Sequence, residues 1–223
     1  VNQRHPATDE QTTISRPRPC RSVVIVTRIV AGRYGGRRLH APTGRDTRPT
    51  SDRVREALFS ALEAMTDLSG ARVLDLFAGS GAVGLEALSR GASHVLLVES
   101  DAKAVRVIRE NIATLGAGAA ARVAAGKAAT VLAGGPADGA YDVVFADPPY
   151  ALSEEDLAAV LSGLAGNGWL AEDAVLVVER SSRSPEPAWV QGITGERSRR
   201  YGETALWYGR AVAQSGGAVL PEG

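Results

Sequence analysis

The sequence predicts an α/β fold: one doubly wound, mostly parallel sheet with a small N-terminal appendage. Three observations carry this. From Arg72 onward, five short apolar runs alternate with helical patterns, the rhythm of strands buried on both faces and joined by right-handed crossovers. The first run ends in a glycine-rich turn, the place where open sheets of this kind bind ligands. A length of 223 residues suffices for one such core and a modest addition.

Residues 1–25 read as a disordered tail rich in Arg, Pro, Thr and Gln; a natural start near Val26 is an alternative reading of it. Residues 26–69 form the appendage. Thr27–Ala31 and Arg37–Ala41 flank a turn through Tyr34, Gly35 and Gly36 and suit a β-hairpin. A helix follows from about Ser51. Thr50 or Ser51 can cap it, Asp52 suits its first turn, and Val54, Leu58, Leu62 and Met65 make an apolar stripe.

Residues 70–210 hold the sheet. Strands are expected at Arg72–Phe77, His94–Glu99, Arg122–Ala125, Tyr141–Asp147 and Ala174–Arg180, with helices near 82–90, 102–115, 127–133 and 154–165. Arg197–Arg210 suits a closing hairpin that turns at Gly202 on the sheet edge. Residues 211–223 return to Gly, Ala and Ser and are expected to fray.

Composition narrows the function. Aromatic residues make up only 5% of the chain, so the core must rest on Ala, Val and Leu. No stretch approaches the ~20 apolar residues needed to cross a bilayer, and Val23–Val26 is too short for a signal-peptide core. Cys20 is the only cysteine, which rules out an intrachain disulfide and a thiolate metal cluster. His5, His40 and His94 are too dispersed to hold a metal. A cytoplasmic, monomeric enzyme without a metal is expected. The formal net charge is zero, yet residues 28–55 hold eight arginines against Asp46 and Asp52. That segment suits a phosphate backbone, although a solvated arginine-rich face is the plainer account.

The chemistry is carried by two strand ends. Asp75-Leu76-Phe77-Ala78-Gly79-Ser80-Gly81-Ala82-Val83-Gly84 fits GxGxxG, a pattern shared by NAD and S-adenosylmethionine sites. In the NAD reading, the helix N-terminus holds a pyrophosphate. In the methyl-donor reading, Phe77, Ala78, Gly79, Ser80 and Gly81 accommodate the amino-acid part of the cofactor while Asp75 anchors its ammonium group. Glu99, followed by Ser100, can accept ribose hydroxyls in either reading. The plainer alternative for Asp75 is a bond to loop amides, and for Glu99 it is merely the start of a loop.

Asp147-Pro148-Pro149-Tyr150 follows the apolar run Val143–Ala146 and favours methyl transfer. The prolines fix an extended exit from the strand and leave carbonyls without competing N–H groups. An exocyclic base amine is a poor nucleophile because its lone pair is delocalised into the ring. Asp147 and the Pro148 carbonyl can accept its two protons and localise that lone pair, and Tyr150 can stack on the base. The structural alternative is a Pro-Pro turn with Asp147 as a cap. A cytosine-C5 mechanism needs a cysteine nucleophile, and Cys20 lies in the tail.

The chain from Arg28 to about Arg210 resembles the RsmD-type 16S ribosomal RNA guanine-N2 methyltransferases. The likeness is carried by Arg28–Gly32, Thr47–Phe59, Asp75–Gly91, Asp147–Tyr150 and Tyr201–Thr204. The resemblance implies a Rossmann-like class I methyltransferase fold, with a seven-stranded sheet whose last strand is antiparallel and an N-terminal hairpin-and-helix extension. It implies S-adenosylmethionine as cofactor, and guanine N2 of 16S RNA within a small-subunit assembly as substrate. It places Arg48, Pro49 and Thr50 near the cofactor or target base, and gives the grip on RNA to Arg28, Arg33, Arg37, Arg38, Arg48 and Arg53. Ala125-Gly126-Lys127-Ala128-Ala129 departs from the family, whose members commonly place an Asp or Asn near the adenine; here backbone and apolar groups must hold that ring.

Two rivals remain. A DNA adenine-N6 methyltransferase would use the same tetrapeptide, but the short loops leave no room for a target-recognition insertion. An NAD-dependent oxidoreductase would leave the proline corner unexplained. A non-catalytic RNA-binding relative would not need Asp147 and Tyr150.

Overall fold

The computed structural model describes residues 26–42 and 51–212. The expectations for the two tails, Cys20, Arg45, Arg48, Pro49 and Thr50 lie outside these residues. Strands β1 (Val26–Arg28) and β2 (Arg38–His40) form the expected antiparallel hairpin, shorter than its apolar pattern. Helix α1 (Asp52–Glu63) is capped by Ser51, whose side chain accepts the Val54 N–H at 3.3 Å. Val54, Leu58 and Leu62 of the stripe are buried with Phe59, whereas Met65 lies past the helix end.

The main sheet comprises β3 (Arg72–Leu76), β4 (His94–Glu99), β5 (Ala121–Ala125), β6 (Tyr141–Ala146), β7 (Leu170–Ser181), β8 (Ile193–Tyr201) and β9 (Thr204–Ala211). Their order is β5-β4-β3-β6-β7-β9-β8. The first five pair in parallel, and β9, the last in sequence, runs antiparallel between β7 and β8. The crossovers contain α2 (Ala82–Ser89), α3 (Ala102–Leu115), α4 (Ala128–Ala133) and α5 (Glu154–Gly166).

Several boundaries differ from the sequence pattern; strand β8, for one, begins at Ile193 rather than Arg197. Strand β7 begins at Leu170, before the polar pair Glu172-Asp173, where Asp173 has φ 57° and the register with β6 shifts. Strand β9 continues through Ala211, and the Val212 N–H donates to the Gly192 carbonyl at 3.0 Å, so the fraying expected from residue 211 does not begin there.

Period-2 alternation divides the apolar residues between two faces. Val73, Val143, Phe145, Val175 and Val177 meet α2, α3 and the N-terminal appendage. Leu74, Val144, Ala146, Leu176 and Val178 meet α4, α5 and Trp169. The appendage has no separate core: Ile29, Leu39, Leu58, Phe59 and Leu62 belong to the first of these clusters.

Polar groups fix the appendage in place. Glu86 of α2, fully buried, accepts the N–H groups of Val30 at 2.7 Å and Ala31 at 2.9 Å, and Arg90 Nε at 2.9 Å. Arg90 also reaches Glu56 at 2.8 Å and Glu63 at 3.0 Å on α1. Arg55 is 1% exposed and donates to Thr27, the Arg28 carbonyl and Asp52. Gly32 follows this docking site, where a Cβ would lie 1.9 Å from the Ser89 carbonyl oxygen, so no larger residue fits. Asn111 of α3, also fully buried, exchanges hydrogen bonds with the His40 backbone at 2.8 and 2.9 Å and donates to the Ser80 carbonyl at 2.9 Å. One side-chain amide thereby ties β2 to the glycine loop.

Candidate active site

The winding of the sheet reverses at β3, with β4 on one side and β6 on the other. The loops leaving the carboxyl ends of β3 and β6 therefore diverge and open a crevice. A cavity of about 740 Å³ occupies it, within the roughly 300–1,000 Å³ usual for small-molecule sites.

The glycine loop forms one wall of this cavity. Phe77, Gly79 and Gly81 all take left-handed backbone conformations, with φ of 64°, 57° and 77°. For Phe77, which carries a side chain, that geometry stores on the order of 1–3 kcal/mol of strain, a feature that concentrates at ligand sites. Gly84 serves close packing: a Cβ there would sit 2.6 Å from Leu97 and 2.7 Å from Val95, holding α2 off the sheet.

Carboxylates dominate the polar lining. Asp75, at the end of β3, is buried and accepts one hydrogen bond, from the Gly84 N–H at 2.9 Å. Burial pushes its carboxyl up to about 7, the Gly84 bond opposes the rise and the charge of Glu99 adds to it. Glu99 accepts the N–H groups of Gly79, Ser100 and Asp101 at 2.8, 2.7 and 2.8 Å. A carboxylate offers about four acceptor sites, so Glu99 has one left for a ribose hydroxyl, and a second needs a loop amide to give way.

Across the crevice, Asp147-Pro148-Pro149-Tyr150 leaves β6 and lines the same cavity. Burial raises the Asp147 carboxyl well above the ordinary carboxylate range, and the charges of Glu179 and then Asp75 raise it further. Tyr150 is 76% exposed at the mouth, with its ring open to solvent.

The cavity thus gathers Asp75, Phe77 to Ser80, Glu99, Ser100 and Asp147 to Tyr150. Gly81 lies beside it as the N-cap of α2. Glu179, Arg55 and Glu203 also line it. Glu179 gave no signal in the sequence, where it reads as the polar end of an apolar strand. Glu203 lies in the segment that carries the resemblance. Gly126 donates its N–H to the Glu99 carbonyl at 2.9 Å, so that amide is not offered to an adenine ring.

The arginines sort differently from their sequence clustering. Arg28 is exposed but paired with Asp52 at 2.8 Å. Arg33 lies over the Tyr34 ring at 4.6 Å, and Arg37 donates to the Thr114 carbonyl at 2.6 Å. Arg38 and Arg53 are exposed. Arg55, counted with the basic run, points inward and cannot face RNA. None of the five exposed arginines is among the cavity residues. Arg197 packs over Tyr208 at 5.1 Å, whereas Arg199 and Arg200 face solvent. Trp169 is buried and stacks on Tyr141, and Trp189 bonds to Glu186, so both serve packing.

Five acids line the cavity, and among the described residues Arg55 is its single cation, already bonded to Asp52. Such a wall suits a ligand with positive charge beside a ribose. It repels a pyrophosphate dianion, and the Gly79 N–H that could serve a phosphate already donates to Glu99. Among the described residues no group of three or more His, Cys, Asp or Glu could hold a metal ion, and no helix is long and apolar enough to cross a membrane.

Comparison with known proteins gives a concordant result. The family model described as conserved hypothetical protein 95 matches residues 27–210. Ribosomal RNA small subunit methyltransferase D of Escherichia coli K12 is 40% identical over 182 residues, covering 80% of this chain and 86% of that protein. The YlbH protein of Bacillus subtilis is 37% identical over 180 residues, covering 80% and 96%. Among solved structures, the yhhF protein of Escherichia coli superposes with a TM-score of 0.74 at 36% identity, covering 85% of this chain and 99% of that one.

Proposed function

The chain belongs to the family described as conserved hypothetical protein 95, the RsmD-type ribosomal RNA methyltransferases, and from that premise we propose that it transfers a methyl group from S-adenosylmethionine to the exocyclic N2 of a guanine in 16S ribosomal RNA. The substrate in this reading is the RNA within a small-subunit particle or assembly intermediate. One observation carries it: the glycine loop after β3 and the Asp-Pro-Pro-Tyr bend after β6 open into one cavity.

When bound, S-adenosylmethionine supplies an electrophilic methyl group on a sulfonium. The residues present fit it. Asp75, buried with a single hydrogen bond and a raised carboxyl, is an acid short of partners, and an ammonium group answers that shortage by favouring its ionised form. Glu99 retains an acceptor site for a ribose hydroxyl. Asp147 and the Pro148 carbonyl accept hydrogen bonds from the two amine N–H groups, which localises the nitrogen lone pair for attack. Asp147 holds the proton that the nitrogen sheds. Tyr150 stacks on the extruded base and fixes its approach. Arg33, Arg38 and Arg53 supply positive charge for the RNA backbone.

The test is transfer of tritiated methyl onto purified small-subunit particles, free 16S RNA and duplex DNA. Label in guanine N2 of the particles is the expected result. Label chiefly in DNA adenine would replace this substrate with the adenine-N6 reading.

A further inference from the structure

We propose that Glu179 selects guanine by accepting the N1–H of the target base while Asp147 accepts its exocyclic amine. The inference rests on the guanine-N2 reading above and deepens it.

The sheet places these two acids side by side. Ala146 pairs with Val178 in the parallel register of β6 and β7, so the next residues, Asp147 and Glu179, leave that pair together. By alternation both share the face of Phe145 and Val177, which itself is in register with Asp75. Both acids line the main cavity and a smaller annex of about 50 Å³ between the Pro-Pro bend and Ser181–Ser184. The annex lies beside Tyr150, and in this proposal a base stacked on that ring directs its Watson–Crick edge into it. Arg180, which also lines the annex, has its guanidinium engaged in a bidentate pair with Glu154.

The chemistry follows from the donor pattern of the bases. Guanine presents N1–H and the N2 amine as neighbouring donors. Adenine presents its N6 amine beside N1, which is an acceptor. Burial and its acidic neighbours disfavour the ionised form of Asp147, and a base that donates at both positions draws that form out: two ionised carboxylates side by side are an acceptor-only pair. That pair matches guanine at both positions and sets a negative charge against the N1 lone pair of adenine. Discrimination of this kind is strong because the mismatched base sets an acceptor lone pair against a partly buried carboxylate.

2-Aminopurine separates the two contacts, since it keeps the amine and lacks N1–H. Small-subunit particles reconstituted with guanine or 2-aminopurine at the methylated position are compared by kcat/KM. For the wild type, a preference for guanine of about 10- to 100-fold is expected, the worth of one hydrogen bond to a charged acceptor. Glu179→Ala should bring the ratio to within about threefold, and Glu179→Gln, whose amide can turn its NH2 toward N1 of 2-aminopurine, should also shrink it. Melting temperature and S-adenosylhomocysteine binding check that each variant is folded; the near-isosteric Gln variant serves if Ala does not fold. An unchanged ratio in the folded variants overturns the inference and leaves the guanine-N2 reading intact. A wild type that forms no N2-methylguanine on any particle overturns both.

Discussion

Two clusters of charge, which meet at Arg55 on the cavity wall, have opposite characters. Around Glu86, the carboxylate is met by two backbone N–H groups and Arg90, while Arg55 and Arg90 carry the contacts on to α1 and the hairpin. Only Arg55 Nε falls short, 3.6 Å from Glu86. Along the carboxyl edge of the sheet, Asp75 has one amide, and Asp147 faces Glu179 and Asp75, charges of its own sign. Buried charge balanced within the chain holds the appendage against the sheet. Acids gathered beside one another mark where a cationic ligand and a donor-rich base belong.

The comparison breaks most sharply at Asp147. Asp147→Ala should lower kcat by roughly 10²–10³-fold or more, leave S-adenosylhomocysteine affinity within a few-fold, and leave melting temperature unchanged or raised, because a poorly compensated buried acid is removed. Calorimetric titration beside single-turnover methyl transfer reads both. Loss of cofactor binding would move Asp147 into the cofactor site.

Glu86→Ala should do the reverse. It strands Arg55 and Arg90 and should cost about 3–5 kcal/mol of stability, lowering Tm by roughly 6–20 °C for a chain of this size. A Tm within 2 °C of wild type would contradict the role given to this cluster.

Asp75 sharpens the contrast through pH. Its carboxyl stands at about 7 in the folded chain against 3.8 ordinarily, so the folded state binds the extra proton. This contribution to stability is complete below about pH 4 and is lost as pH rises through about 7. Asp75→Asn should therefore match wild type at pH 4 and exceed it at pH 8 in chemical denaturation of the ligand-free protein. Cofactor affinity should rise between pH 6 and 8 in wild type only, since an ammonium partner requires the ionised acid.

The smallest effect belongs to the exposed cations. Arg53→Glu should weaken capture of small-subunit particles several-fold at low salt and less at high salt, measured by filter binding; an equal loss at both would argue against an electrostatic role.

Much of this was legible in the sequence. The strand runs, the hairpins, the glycine loop and the Asp-Pro-Pro-Tyr bend are local patterns, and the structure brings the two motifs to one cavity. What escaped detection depends on residues far apart in the chain. Arg55 sits in an arginine-rich segment that reads as solvated, and its burial is decided by Glu86 of another helix. Asn111 reads as a polar intrusion in the apolar face of α3, until β2 and Ser80 converge on it. Glu179 matters because β7 pairs with β6 in one register. The left-handed turn at Phe77 leaves no trace in residue type, and the early start of β7 is hidden by Glu172-Asp173.

The most direct test is a crystal structure of the protein with S-adenosylhomocysteine and an RNA fragment bearing the target guanine. The expected result puts the ligand ammonium at Asp75, a ribose hydroxyl at Glu99, and the guanine amine between Asp147 and the Pro148 carbonyl, with sulfur facing that nitrogen. A ligand sulfur turned away from Asp147, or a base bound outside the Tyr150 bend, would contradict the account.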